Sequence, residues 1–180
     1  MKKPLLLLVF VALAAVSFSF APALPSSSAS KLLVFPVAGT KSYIKDKWGA
    51  RRAGGTRKHK GIDIHARKGT PVVAITDGVI VERDHTLIGG KTLWLKSGKH
   101  SWTAYYAHLD KQYVKEGQRV RKGQVIGTVG NTGNARSTPP HLHFGVKQGK
   151  GWVNPLPLVK DSPKVAAKTT AKKTTTKKRR

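Results

Sequence analysis

From Gly61 onward the sequence keeps one cadence: a short run rich in β-branched and aromatic residues, then a glycine. Ile62-Asp63-Ile64 leads to Lys68-Gly69, and Pro71 to Ile75 (PVVAI) leads to Asp77-Gly78 and Val79-Ile80-Val81. Thr92 to Leu95 (TLWL) precedes Ser97-Gly98, and Trp102 to Ala107 (WTAYYA) follows. Glu116-Gly117 and Lys122-Gly123 punctuate the approach to Val125 to Val129 (VIGTV). Branched and aromatic side chains suit a pleated, half-buried surface, and glycine supplies the backbone freedom that tight turns need. No stretch carries the apolar period of an amphipathic helix of ordinary length; at most one helical turn is expected, over Leu109 to Val114. The pattern predicts an all-β chain: a compact antiparallel sandwich or barrel-like single domain with short Gly-rich turns.

A length of 180 residues accommodates one such domain with appendages. Residues 1–29 read as a secretory signal peptide. Lys2 and Lys3 form its charged start, Leu5 to Phe20 its apolar run, and Ala21-Pro22-Ala23 and Ser27-Ser28-Ala29 offer cleavage sites. The alternative is retention of the apolar run as a membrane anchor, for which it is short. The domain is expected over residues 30–159. Lys31 to Val37 (KLLVFPV) opens it as an apolar strand, with Pro36 indicating a sheet edge. Gly39 to Lys60 reads as a long loop holding a short strand at most, and Trp152 to Val159 closes the domain.

Residues 160–180 form a tail with nine Lys/Arg against one Asp and almost no large apolar side chain. Such a segment cannot bury enough surface to offset its ordering entropy, so disorder is expected. The whole chain carries a formal charge of +26, which makes polyanions its natural partners. Cysteine is absent, which excludes disulfides, thiol catalysis, thiolate metal ligands and a lipid anchor on cysteine.

Two histidine motifs stand out: His59-x-x-x-Asp63 and His141-x-His143. Residues two or four apart in an extended strand share a face, so two neighbouring strands would aim His59, Asp63 and His143 into one cleft. Two imidazoles and a carboxylate suit Zn²⁺, with a fourth position open. Each motif alone is weak, because a lone histidine more often makes a structural hydrogen bond. Together, in a cysteine-free β domain, they favour a metal site. A further histidine, His108, ends the aromatic run Tyr105-Tyr106-Ala107. Pro139 and Pro140 precede His141 and favour an extended entry to its strand. No His-Glu-x-x-His arrangement is present.

These residues resemble the lysostaphin-type (LytM-like) zinc metallopeptidases, peptidoglycan endopeptidases with the duplicated-hybrid-motif β fold. The resemblance runs from about Phe35 to Leu158. It is carried by Trp48-Gly49, Arg57 to Ile64 (RKHKGIDI), Gly69-Thr70-Pro71-Val72, Tyr106-Ala107-His108-Leu109, Gly130-Asn131-Thr132-Gly133 and Pro140 to Phe144 (PHLHF). It implies that His59, Asp63 and His143 bind one zinc ion and that His108 and His141 are the catalytic histidines. It also implies peptidoglycan stem peptides or cross-links as substrate, and the signal peptide implies export, to the periplasm, the cell envelope or the extracellular medium. The alternative is a catalytically silent relative that binds the wall or activates another hydrolase. The five motif positions are all filled, which argues for an enzyme. A monomer is expected, with anionic envelope polymers met by the tail and no specific nucleic acid. His65, His85 and His100 match no motif position, and His65 is expected to be solvated or to lie behind the ligands. Arg51, Arg52 and Arg57 are candidates to line the cleft and meet substrate carboxylates, with a solvated basic face as the alternative. Tyr105 and Tyr106 must face opposite ways.

Overall fold

The computed structural model describes residues 33–167. The expected signal peptide and the tail from residue 168 lie outside the described residues. Within them run β1 (Tyr43–Asp46), β2 (Arg51–Arg52), β3 (Arg57–Lys58), β4 (Ile62–His65), β5 (Pro71–Val73), β6 (Gly78–Thr86) and β7 (Gly90–Ser97). They continue with β8 (Trp102–Gln112), β9 (Arg119–Val120), β10 (Val125–Val129), β11 (His141–Gln148) and β12 (Gly151–Val153). One helical turn, α1 (Leu156–Val159), and two 3-10 turns are the only helical elements among the described residues.

The main sheet has the order β1-β4-β11-β8-β7-β6-β9, and its pairs are antiparallel. β10 lies between β5 and the end of β8 and pairs with both, and β12 folds back on β11. The alternating pattern fills one face of the sheet with Ile62, Ile64, Leu142, Phe144, Val146, Ala104, Tyr106, Leu93, Leu95 and Ile80, all buried. Val37, Val72, Ile75, Ile126 and Val129 close the same cluster from the opposite side. Tyr106 is fully buried between the two layers, where its hydroxyl accepts a hydrogen bond from the Ile75 amide at 3.1 Å. An all-β sandwich-like core follows, and it leaves the other face of the sheet free for a site.

Four local expectations give way. Lys31 to Val37 does not form a ladder strand in its described part; Val37 makes one isolated bridge to Val72. Its backbone bonds are split between two neighbours: Val34 N–H donates to Ile75 O and Phe35 N–H to Pro163 O, and Pro36 has no N–H to offer. Leu109 to Val114 holds no helical turn, because β8 runs on through Gln112 and pairs Leu109, Lys111 and Gln112 with β10. The first residues assigned to the tail belong to the packed structure. Ser162 is buried, Gly39 N–H donates to Val165 O, and Val165 packs on Val34, Ala38 and Val73. Lysine-rich composition hid those few apolar contacts. Gly39 to Lys60, read as loop with a short strand, contains three: β1, β2 and β3.

Candidate metal centre and catalytic cleft

β4 and β11 lie side by side with His143 opposite Asp63 and His141 opposite His65. Alternation sends Ile62, Ile64, Leu142 and Phe144 to the core and leaves these four polar residues on the open face. His59 arrives differently from the expectation. It precedes β4 rather than sharing its strand, and Gly61 carries the chain between them. A Cβ on Gly61 would lie 2.5 Å from Phe144 O and 2.7 Å from the His143 ring, so only glycine lets this segment cross β11 so closely. The backbone of His59 is clamped to the preceding loop, its N–H donating to Ala50 O and its carbonyl accepting from Gly49 N–H.

His59, Asp63 and His143 converge. His59 Nε2 lies 2.9 Å from His143 Nδ1 and 3.1 Å from Asp63 Oδ1, and His143 Nδ1 lies 3.0 Å from the same oxygen. Ligand atoms around a tetrahedral zinc sit about 3.3 Å from one another, given metal–ligand bonds of about 2.0–2.1 Å. The three side chains therefore fit one metal ion with little movement. His59 Nδ1 donates to Lys47 O at 3.0 Å, which leaves Nε2 bare and aimed at the cluster. Arg52 donates to the other oxygen of Asp63 and is itself held 3.4 Å from Asp46. That arrangement keeps Oδ1 turned toward the two imidazoles. Burial alone would raise the Asp63 carboxyl, but hydrogen bonds and charge from His143 and His59 outweigh it and hold the group well below the usual carboxylate range.

The two remaining motif histidines stand beside this cluster. The His108 ring is 5.0 Å from that of His141 and 6.0 Å from that of His143. Plain alternation after Tyr106 would send His108 to the core. It does not, because the chain carries an irregularity there: Tyr106 pairs with Leu93 and Leu109 with Lys91. His108 sits in this bulge at φ 61°, the one non-glycine residue with positive φ among the described residues. Its N–H donates to Gly89 O, and its Nδ1 donates to Thr132 O at 2.9 Å. His141 is set in the same manner, with Nδ1 donating to Pro139 O at 2.9 Å. Both rings thus keep Nε2 as the free nitrogen. Burial, with the charges of His141 and His143, pushes the His108 imidazole down to about 4, so it is neutral at pH 7. Burial also lowers His143.

The cluster opens into a cleft of about 720 Å³. Its lining includes Lys45, Arg57, Lys58 and Lys60 from the chain before β4, and Ile88, Asn134, Ala135 and Pro139 from the segments between β6 and β7 and between β10 and β11. Arg52 and Arg57 line the cleft, Arg52 while engaged with Asp63, and Arg51 does not line it. His65 is buried and stacked between His141, at 5.1 Å, and Tyr43, at 5.5 Å. Its spacing two beyond Asp63 was the signal for this place. His85 and His100 are absent from the cleft wall. Tyr106 points inward, and Tyr105 faces the cleft with its ring 6.0 Å from His143.

Residues 57–155, more than half of the chain, match peptidase family M23, and the match contains His59, Asp63, His108, His141 and His143. The chain belongs to this family. An L-Ala--D-Glu endopeptidase of Bacillus subtilis is 37% identical over 124 residues, covering 64% of this chain and 37% of the relative. The murein hydrolase activator NlpD of Escherichia coli K12 is 34% identical over 117 residues, covering 65% of this chain and 29% of the relative. The catalytic domain of the antimicrobial peptidase lysostaphin from Staphylococcus simulans superposes with a TM-score of 0.58 at 35% identity, covering 64% of this chain and 90% of that domain. The match therefore spans well under half the length of these two curated relatives but nearly all of a lysostaphin catalytic domain. M23 membership gives the fold and its metallopeptidase character. One of the two curated relatives is an endopeptidase and the other an activator, so activity must be argued from the cleft.

Proposed function

We propose that the protein is an exported zinc metalloendopeptidase that hydrolyses peptide bonds in peptidoglycan stem peptides or cross-links. The observation that carries this reading is the meeting of three ligand atoms about one point with two further imidazoles at the rim, each with Nδ1 tied to a carbonyl and Nε2 free. His59 Nε2, Asp63 Oδ1 and His143 Nδ1 would hold zinc, which would supply the Lewis acidity to polarise a peptide carbonyl and make water a usable nucleophile near neutral pH. The protein's own part is orientation and proton movement. His108 Nε2 and His141 Nε2 flank the cluster, one to accept the proton of the attacking water and one to stabilise charge on the carbonyl oxygen. Among the described residues no carboxylate other than Asp63 and Asp46 lines the cleft, so a histidine base suits the site better than a glutamate. Lys2, Lys3 and the apolar run Leu5 to Phe20 support export to the periplasm or envelope.

The match to NlpD favours a second reading, a catalytically silent activator that uses the same cleft for binding. Metal content and turnover separate the two. His59→Ala, Asp63→Ala and His143→Ala are expected to lose zinc. His108→Ala and His141→Ala are expected to keep zinc and lose hydrolysis. Normal zinc in the first three variants would overturn the ligand assignment, and a zinc-replete wild type without turnover would favour the activator.

A further inference from the structure

The open face of the sheet does not end at the catalytic cleft. Its cross-strand register places Glu82 beside Trp94, Trp94 beside Tyr105 and Tyr105 beside Gly145, one row across β6, β7, β8 and β11. His143 and Ala107 form the next row of the same face, two residues away. Gly145 leaves its place to a neighbour: a Cβ there would lie 2.6 Å from the Trp152 ring, so the indole from β12 covers the sheet where a side chain would stand. Trp94, Tyr105 and Trp152 form one aromatic patch, with ring centroids 4.4, 5.5 and 5.7 Å apart. All three stay half-buried, unlike Tyr106 and Phe144 on the core side.

Beyond the patch lies a second groove of about 320 Å³, lined by Glu82, Trp94, Ser101, Thr103 and Lys147, with Val81 at its edge. The irregular pairing between Ile80 and Glu82 lets Val81 and Glu82, neighbours in sequence, both open onto it.

We propose that this groove is a glycan subsite that holds a sugar ring of the strand from which the stem peptide hangs. The proposal rests on the peptidoglycan reading of the cleft. A hexose ring offers a flat C–H face to an indole and hydroxyls at its rim, and the groove supplies an indole edged by two hydroxyls, a carboxylate and an ammonium. A peptide strand fits less well, because β7, β8 and β11 are paired on both sides at the groove, which leaves only the outer edge of β6 beyond Ile80 to pair. The spacing agrees. From His143 to Lys147 is four strand residues, about 13 Å at about 3.3 Å per residue. A stem of three or four residues spans about 10–14 Å when extended. A sugar in the groove thus leaves the stem peptide stretched over Tyr105 toward the metal ligands.

The test uses the full, zinc-loaded chain. Binding of a peptide-free oligomer of alternating N-acetylglucosamine and N-acetylmuramic acid is followed by tryptophan fluorescence, which needs no turnover. Hydrolysis is then compared on a stem peptide attached to a disaccharide and on the same peptide free. Expected are saturable quenching by the oligomer and a KM about tenfold lower for the glycan-linked substrate, as one ring stacked on an indole provides. In Trp94→Ala that KM advantage should collapse toward one. Glu82→Gln with Lys147→Gln, which spares the aromatic patch, should reduce it as well, with zinc content as the check on folding. Equal KM for the two substrates in the wild type, or no response to the oligomer, would overturn the subsite. Oligomer binding without hydrolysis of either substrate would instead sink the endopeptidase reading and leave the subsite standing.

Discussion

Asp63 joins more of the site than any other side chain. Its Oδ1 faces His59 and His143 while its other oxygen is occupied by Arg52. Groups that orient a metal ligand are worth about 10–100-fold in metal affinity. Arg52→Gln is therefore expected to weaken zinc binding by about that factor, and Arg52→Lys to recover part of it, in a chelator competition assay; unchanged affinity would show that Arg52 serves only the surface. His108 makes a second prediction. In the metal-free protein its imidazole stays neutral down to about pH 4, whereas in the unfolded chain it takes a proton near 6.5. Between those values the unfolded state binds more protons, so stability rises with pH and is lost as pH falls. From pH 7 to 5 the loss from this group is about 2 kcal/mol, and the lowered His65 and His143 act in the same direction. Urea unfolding of chelator-treated protein at the two pH values reads it directly; equal midpoints would contradict it. At this scale the meeting of Asp63 and His143 was legible from strand alternation and residue type, and that of His59 from residue type alone, since it stands before β4. The facing of His108 was not, because period-two alternation gives no sign of a bulge. Arg52 was one of several arginines in the sequence, and only its contact with Asp63 distinguishes it.

The elements that build the cleft depend on close backbone approach. Gly61 lets the chain pass from His59 over β11 into β4, and any side chain there meets Phe144 O and the His143 ring. Gly61→Ala is expected to cost about 1–3 kcal/mol, the usual range for forcing atoms into a packed site, and to lower zinc content together with Tm. A loss of stability with full zinc occupancy would show that the crossing is not coupled to the ligands. The longer strands were visible in the sequence because each buries one face, which imposes alternation. β1, β2 and β3 were not, since they span two to four residues and bury no side chain fully, too little to stand out as an apolar alternation. The continuation of β8 through Gln112 was missed because its outer residues, Asp110 to Gln112, are polar and owe their extended form to β10.

For the molecule as a whole, the sheet separates stability from the candidate site: one face is core and the other carries the candidate metal ligands, the two histidines proposed as catalytic and the aromatic patch. The ends of the described chain hold each other on the core side through Phe35 N–H to Pro163 O and Gly39 N–H to Val165 O. Ending the chain at Val159 is expected to destabilise it by about 2–4 kcal/mol, from two hydrogen bonds and partial burial of Val165. Ending it at Ala167 removes seven Lys/Arg and is expected to leave unfolding midpoints nearly unchanged while weakening salt-sensitive binding to anionic polymers. Equal stability of the two truncations would contradict the role given to residues 160–165. Composition assigned those residues to the tail because a few apolar contacts disappear among lysines. The antiparallel all-β architecture was legible because glycine turns and alternating runs leave few other ways to fold.

The most direct test of the account is digestion of purified peptidoglycan by the full chain loaded with zinc, with and without a chelator, and identification of the released fragments by mass spectrometry. The account predicts new peptide termini within stem peptides or cross-links, abolished by chelator and restored by added zinc. A folded protein holding one zinc per chain that releases no such fragment would contradict it, and would place the cleft among the binding and activating members of its family.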